Sequence, residues 1–233
     1  METKNFYDKT ADKYDLRHAS PTTKWMRLTE VRLIKKYAKG VIVDVGCGTG
    51  VHLKEGRIGI DISEEMVKIS KSRGKNAIIG SAEELKLEDS SCDTILCLFT
   101  TLNLCDYEKA VKEFHRVLKS NGIAIISVAS VWDKDKKPLL KRLFVDSKAE
   151  IKTMRIYGER LKFYLFTKKE FIDLFEKNSF QLKHFEGMFF LQRPYWNWFG
   201  NFTKWQKAKL KVEKYTQFLN SASAMYFGVF VKE

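Results

Sequence analysis

The chain has 233 residues, enough for one large α/β domain with embellishments and short for two. Apolar residues make up 44% of it, yet no apolar run approaches the roughly 18 residues of a membrane-spanning helix. The opening Met1-Glu2-Thr3-Lys4-Asn5 lacks the apolar stretch of a secretory signal, so the sequence reads as cytoplasmic, with no integral membrane segment. Cys47, Cys92, Cys97 and Cys105 show no C-x-x-C spacing, so they read as buried thiols, neither a disulfide framework nor a metal site. The formal charge of +13 is uneven: residues 1–131 carry 21 Lys/Arg against 18 Asp/Glu, and residues 132–233 carry 21 against 11. The basic C-terminal part suits a polyanion, an anionic membrane surface, or plain solvated lysines on helix faces.

In chain order, residues 3–18 mix aromatics with charges. Phe6, Tyr7 and Tyr14 there serve either as anchors of a lid over residues 1–39 or as the docking face of an ordinary N-terminal helix. Ser20-Pro21 marks a helix start, with Met26, Leu33 and Tyr37 on its buried side and Gly40 at its end. Val41-Ile42-Val43-Asp44-Val45 reads as a buried strand running into Gly46-Cys47-Gly48-Thr49-Gly50. Such a turn either brings bare backbone against a nucleotide-like ligand or is a plain tight connection. Arg57-Ile58-Gly59-Ile60-Asp61 is a second strand ending in a carboxylate, either placed to accept ribose hydroxyls or an ordinary acid ahead of the next helix. Ser63, followed by Glu64 and Glu65, caps the next helix.

Asn76–Gly80 is a third strand and Thr94–Phe99 a fourth, followed by a helix over about Tyr107–Lys119 and a fifth strand, Ile123–Val128. Five alternations of strand and helix predict a parallel sheet covered on both faces, with ligands beyond the strands' C-terminal ends. A lysine-rich insertion, flexible or on the substrate side, is expected over residues 133–160. Order restarts at Thr167-Lys168-Lys169-Glu170, a capping box. Leu182–Leu191 and Ala224–Val231 read as the last two strands, separated by an aromatic and basic cap over residues 191–223.

Taken together these segments resemble the class I S-adenosylmethionine-dependent methyltransferases, in particular the ubiquinone/menaquinone-biosynthesis and small-molecule group. Asp44-Val45-Gly46-Cys47-Gly48-Thr49-Gly50 matches the family's first motif, Gly59-Ile60-Asp61-Ile62-Ser63 its second, and Ser81-Ala82-Glu83-Glu84-Leu85 its Asp-Ala-Glu-x-Leu segment. Asp93–Leu104 matches the fourth strand and its loop, and Leu118-Lys119-Ser120-Asn121-Gly122 matches a Leu-Lys-Pro-Gly-Gly turn. A dinucleotide fingerprint is excluded, since its third glycine position is Val51 here.

The resemblance implies an α/β, Rossmann-like three-layer sandwich with a seven-stranded, mostly parallel sheet whose last strand is antiparallel. It implies S-adenosyl-L-methionine as cofactor, with Asp44, Gly46, Cys47, Gly48 and Gly50 around its methionine part, Asp61 on its ribose, and Tyr14 of the N-terminal lid against the cofactor near the acceptor. Ile62, Ser81, Ala82 and Glu83 would hold the adenine, with Phe99 and Thr100 on the sulfonium side. Methyl transfer from a sulfonium needs alignment more than acid–base groups, and no catalytic base or metal ligand is assigned. The acceptor is expected to be a small or lipid-like molecule. An RNA acceptor, contacted by the basic C-terminal part, and a non-catalytic cofactor-binding subunit are the alternatives.

Overall fold

The computed structural model describes residues 2–19, 21–132, 149–156, 159–188 and 223–233. At its centre β1 (Ile42–Val45) lies parallel to β2 (Arg57–Asp61) on one side and β4 (Cys92–Cys97) on the other. Apolar pairs fix the register: Val43 stands opposite Ile58 and Ile95, so a one-residue slip would turn these side chains to the wrong face. β3 (Ala77–Ile79) forms one edge, and β5 (Leu118–Ala129), β9 (Met225–Lys232) and β8 (Phe180–Met188) complete the order 3-2-1-4-5-9-8. β9 runs antiparallel to both neighbours and is the last strand in the chain. The seven-stranded, mostly parallel sheet expected from the sequence is the one that forms. Strand order reverses between β1 and β4, which opens a crevice at their carboxyl ends.

The helices are α1 (Glu2–Arg17), α2 (Pro21–Tyr37), α3 (Glu64–Ser72), α4 (Tyr107–Val117) and α5 (Lys168–Glu176). Ser63 Oγ accepts from Met66 N at the head of α3, and Asp106 Oδ1 accepts from Lys109 N at the head of α4. Thr167 and Glu170 form the reciprocal box that starts α5. The residue read as the N-cap of α2, Ser20, lies outside the described residues, as do residues 191–222 of the expected cap and most of the lysine-rich insertion.

Three boundaries differ from expectation. Val41 is exposed and precedes the strand; its carbonyl accepts from Asp93 N and Thr94 N, and its N–H donates to Asp93 Oδ2 at 2.8 Å. β4 ends at Cys97, because Phe99 and Thr100 both take left-handed backbone, φ +56° and +76°, which no strand accommodates. Order restarts well before Thr167: β6 (Glu150–Ile156) and β7 (Glu159–Leu165) pair as an antiparallel hairpin. Leu161, Phe163 and Leu165 alternate inward along β7 while Arg160 and Lys162 face solvent. Lys162 thus stands on the wet face of a two-stranded ribbon.

Candidate active site

The site grows from the loop after β1. Gly46 has φ +76°, and a Cβ there would stand 2.1 Å from Thr101 Oγ1, so only glycine lets this turn meet the loop after β4. The turn is sewn to β2 by Gly46 N and Cys47 N donating to Ile60 O, at 2.7 and 3.1 Å. Cys47 turns its sulfur down toward Gly59, which leaves the backbone of the turn facing the crevice. Asp61 ends β2 beside it. Its Oδ2 accepts from Gly48 N at 2.8 Å and its Oδ1 from Ser63 N at 2.9 Å. Burial pushes the Asp61 carboxyl above its ordinary pKa, with the N–H groups of Ser63 and Gly48 pulling the other way.

A cavity of about 280 Å³ opens over this turn. Gly46, Gly48, Asp61 and Ile62 form its floor, and Gly80, Ser81, Ala82 and Glu83 form one wall. Leu98, Phe99, Thr101, Leu104, Cys105 and Asp106 form the facing wall, and Glu2, Thr3, Tyr7 and Tyr14 of α1 lie across the top. Ser81 spends its hydroxyl on its own turn, accepting from Glu83 N at 3.1 Å, while Glu83 Oε1 accepts from Asp106 N at 2.9 Å. α1 is held over the cavity by polar contacts. Asp8 Oδ1 accepts from Ser63 Oγ (2.7 Å), and Asp15 accepts from Thr49 Oγ1 (2.9 Å) and pairs with Arg73 (2.6 Å). An edge-on aromatic contact, His18 on Phe99 at 4.7 Å, closes the same side.

A second, smaller cavity lies under the turn, walled by Arg27, Glu30, Asp44, Cys47, Thr49 and His52, and sharing Tyr14, Gly46 and Phe99 with the first. Asp44 is buried, and loss of solvent moves its carboxyl up to about 6, with His52 opposing that shift and Glu30 adding to it. Glu30 has no exposed surface. Its Oε2 lies 2.9 Å from His52 Nε2, and its Oε1 accepts from Ser127 Oγ at 3.2 Å. Burial works against charge on His52, but Glu30 outweighs it and raises the imidazole pKa.

Eleven of the thirteen residues expected around the cofactor therefore line one of these two cavities, and Gly50 and Thr100 line neither. Thr101 reaches the wall instead of Thr100, because the left-handed bend rotates the loop by one residue. Asn103, in the loop after β4, is structural. Its Nδ2 donates to Ala129 O and Tyr164 O at 2.9 and 2.6 Å, and its Oδ1 accepts from Ala129 N at 2.9 Å. Sequence reading missed Glu30 and His52. A signal was present for the first: Glu30 sits on the apolar stripe Met26, Glu30, Leu33, Tyr37, where a carboxylate is out of place unless it has a buried partner.

The residues present fit S-adenosylmethionine: a floor of glycines in positive-φ backbone, +76° at Gly46 and +54° at Gly48, a buried acid at the end of the second strand, and a polar pocket under the turn. A crevice of this kind, at the reversal of a seven-stranded sheet with an antiparallel last strand, defines a methyltransferase domain, and the methyltransferase domain family model matches residues 43–126. The chain belongs to the class I S-adenosylmethionine-dependent methyltransferases, enzymes that use S-adenosylmethionine as cofactor. An uncharacterized protein of Methanocaldococcus jannaschii is 37% identical over 199 residues, 78% of this chain and 77% of that one. A demethylmenaquinone methyltransferase of Staphylococcus carnosus is 30% identical over 150 residues, 53% of this chain and 61% of its own length. In overall fold the chain is similar to a Thermotoga maritima S-adenosylmethionine-dependent methyltransferase described as a possible histamine N-methyltransferase. The TM-score is 0.65 at 22% identity, covering 99% of both chains. Among the described residues no helix is long and apolar enough to cross a membrane.

Proposed function

We propose that this methyltransferase modifies a small-molecule or lipid-like acceptor presented to the wall formed by Leu98, Phe99 and Leu104. The carrying observation is the character of that wall and its rim: aromatic and apolar side chains, with carboxylates as the charged residues among those lining the cavity. Such a surface takes a flat or apolar acceptor and repels a phosphate backbone. The similarity to a demethylmenaquinone methyltransferase supports the same class of acceptor.

Bound S-adenosylmethionine supplies a methyl group already activated on a sulfonium. The chain's part is to hold and align. Asp61 would accept the ribose hydroxyls on lone pairs that its bonds to Gly48 and Ser63 leave in place. Ile62 and the segment Ser81–Glu83 would hold the adenine, and the backbone of residues 46–48 would hold the methionine part. Asp44, Cys47 and Gly50 support that backbone from below. Tyr14, His18 and Phe99 exclude water beside the reacting centre, with Thr100 setting the bend behind them. The chain acts as one methyltransferase domain over residues 1–233, with α1 as the lid that admits cofactor. The deciding experiment is transfer of labelled methyl groups to separated lipid, metabolite, RNA and protein fractions, with Asp61→Ala as control. Label in lipid or metabolite supports the proposal. Label confined to RNA or protein refutes it, and no label in any fraction from a cofactor-binding protein points to a non-catalytic subunit.

A further inference from the structure

The fully buried Glu30 is not explained by cofactor recognition at the glycine turn. It lies on α2, yet each of its carboxylate oxygens serves a different loop of the site. Oε2 meets His52, which sits in the short exit of the glycine turn, where the chain passes from Gly50 to Arg57 with turns instead of a crossover helix. His52 O in turn accepts from the Arg57 guanidinium at 2.7 Å, so the exit is pinned at both ends of one residue. Oε1 accepts from Ser127 Oγ, and that same hydroxyl oxygen accepts from Phe99 N at 2.7 Å. Phe99 is the first of two consecutive left-handed residues, neither of them glycine, a conformation that costs about 1 kcal/mol or more per residue and persists only when its surroundings impose it.

Resting on the cofactor reading of the site, we infer that Glu30 is a positioning residue that couples the glycine turn to the Phe99–Thr100 bend, so that filling the cofactor site sets the wall against which the acceptor is placed. The physical logic is a single rigid carboxylate shared by two loops. A buried charge that loses one partner must be satisfied by the other, so a shift on the His52 side is felt at Ser127. Glu30, His52, Asp44 and Arg27 face one another across the small cavity, so movement of the turn changes the field at Glu30 directly.

The test uses the full chain with S-adenosylhomocysteine as probe and two readouts, affinity by calorimetry and hydrogen exchange at the Phe99 and Thr100 amides. In the wild type the probe should bind and slow exchange at Phe99. In His52→Gln, at saturating probe, slowing at Phe99 should be lost while slowing at the turn is retained. Ser127→Ala should lose the Phe99 response with the turn response intact. The affinity losses of His52→Gln and Ser127→Ala should be non-additive by roughly threefold or more when combined, since both act through one group. Equal slowing at Phe99 in the wild type and His52→Gln, or simple additivity of the two losses, overturns the inference while leaving the cofactor reading intact. Absence of probe binding by the wild type overturns both. Glu30→Gln keeps the acceptor for Ser127 but removes the charge facing His52, so it should behave as His52→Gln does, and a match to wild type also overturns the inference.

Discussion

The two sides of the sheet are held by different physics. From β3 to β4 the carboxyl ends carry buried carboxylates and hydrogen-bonded turns, with Asp44, Asp61 and Glu30 all withdrawn from solvent. From β5 to β8 the interior is aromatic: Phe175 and Phe230 stack at 4.0 Å, and Phe171 and Phe180 meet them edge-on. Burying a charge costs free energy unless its hydrogen bonds are complete, whereas burying an aromatic ring contributes it. One side therefore provides stability that the other spends on a pre-shaped site.

The sharpest way to break this contrast is to exchange the consequences. Phe230→Ala should cost about 3–5 kcal/mol of folding stability, because it removes a fully buried ring from a stacked pair. Where the variant remains folded, S-adenosylhomocysteine affinity should be unchanged. Urea unfolding beside calorimetry measures both, and a large affinity loss in the folded variant would show that the aromatic side shapes the site as well. Asp61→Ala should do the reverse. Loss of two charge-assisted bonds to ribose, at about 1.5 kcal/mol each, weakens the probe by about two orders of magnitude. Removing the carboxylate takes away its burial penalty but leaves Gly48 N and Ser63 N without their acceptor, so stability should fall by about 1–3 kcal/mol, less than for Phe230→Ala.

The same division decides what could be read from sequence. On the cofactor side, β2 with its terminal Asp61 and the glycine turn were legible, because apolar runs ending in glycine or acid follow directly from backbone geometry. The Thr167–Glu170 capping box likewise exposed the start of α5. The Phe99–Thr100 bend was not legible. Two non-glycine residues in left-handed backbone contradict local preference and are imposed by Ser127, 28 residues away for the first of them. The β6–β7 hairpin was missed because lysine content hid the period-two pattern of Leu161, Phe163 and Leu165. Glu30 was visible only as a carboxylate on an apolar stripe, and its partners come from a distant loop and from β5.

Asn103 lies on the seam between the two sides, so its removal tests whether they move together. Asn103→Ala leaves two carbonyls and an N–H of Ala129 and Tyr164 without their partner, at a cost of about 1–3 kcal/mol. Because β7 is joined to the end of β5 here, the variant should also speed hydrogen exchange in residues 159–165. A stability loss without that local effect would mean the hairpin is fixed by other contacts.

The smallest effect belongs to the latch that holds α1 over the cofactor side. Asp15 is partly exposed, so its pair with Arg73 contributes little to global stability, about 1 kcal/mol at most. Burial tends to raise its carboxyl pKa, but hydrogen bonds from Arg73 and Thr49 outweigh that and bring it below the ordinary value. For Asp8, burial is likewise overcome by Lys4, Ser63 and the backbone of Glu65. Both carboxyls are lowered on folding, so the latch is complete above their unfolded value of about 3.9 and is lost as pH falls through the folded one. Asp15→Asn removes part of that dependence at neutral pH. It should leave the melting temperature nearly unchanged, speed hydrogen exchange in residues 2–17, and weaken S-adenosylhomocysteine by about two- to fivefold. The affinity change must shrink as the wild type is acidified, because the two proteins converge once Asp15 is protonated. A variant whose α1 exchanges faster with no change in affinity would make this helix a docked segment and not a lid.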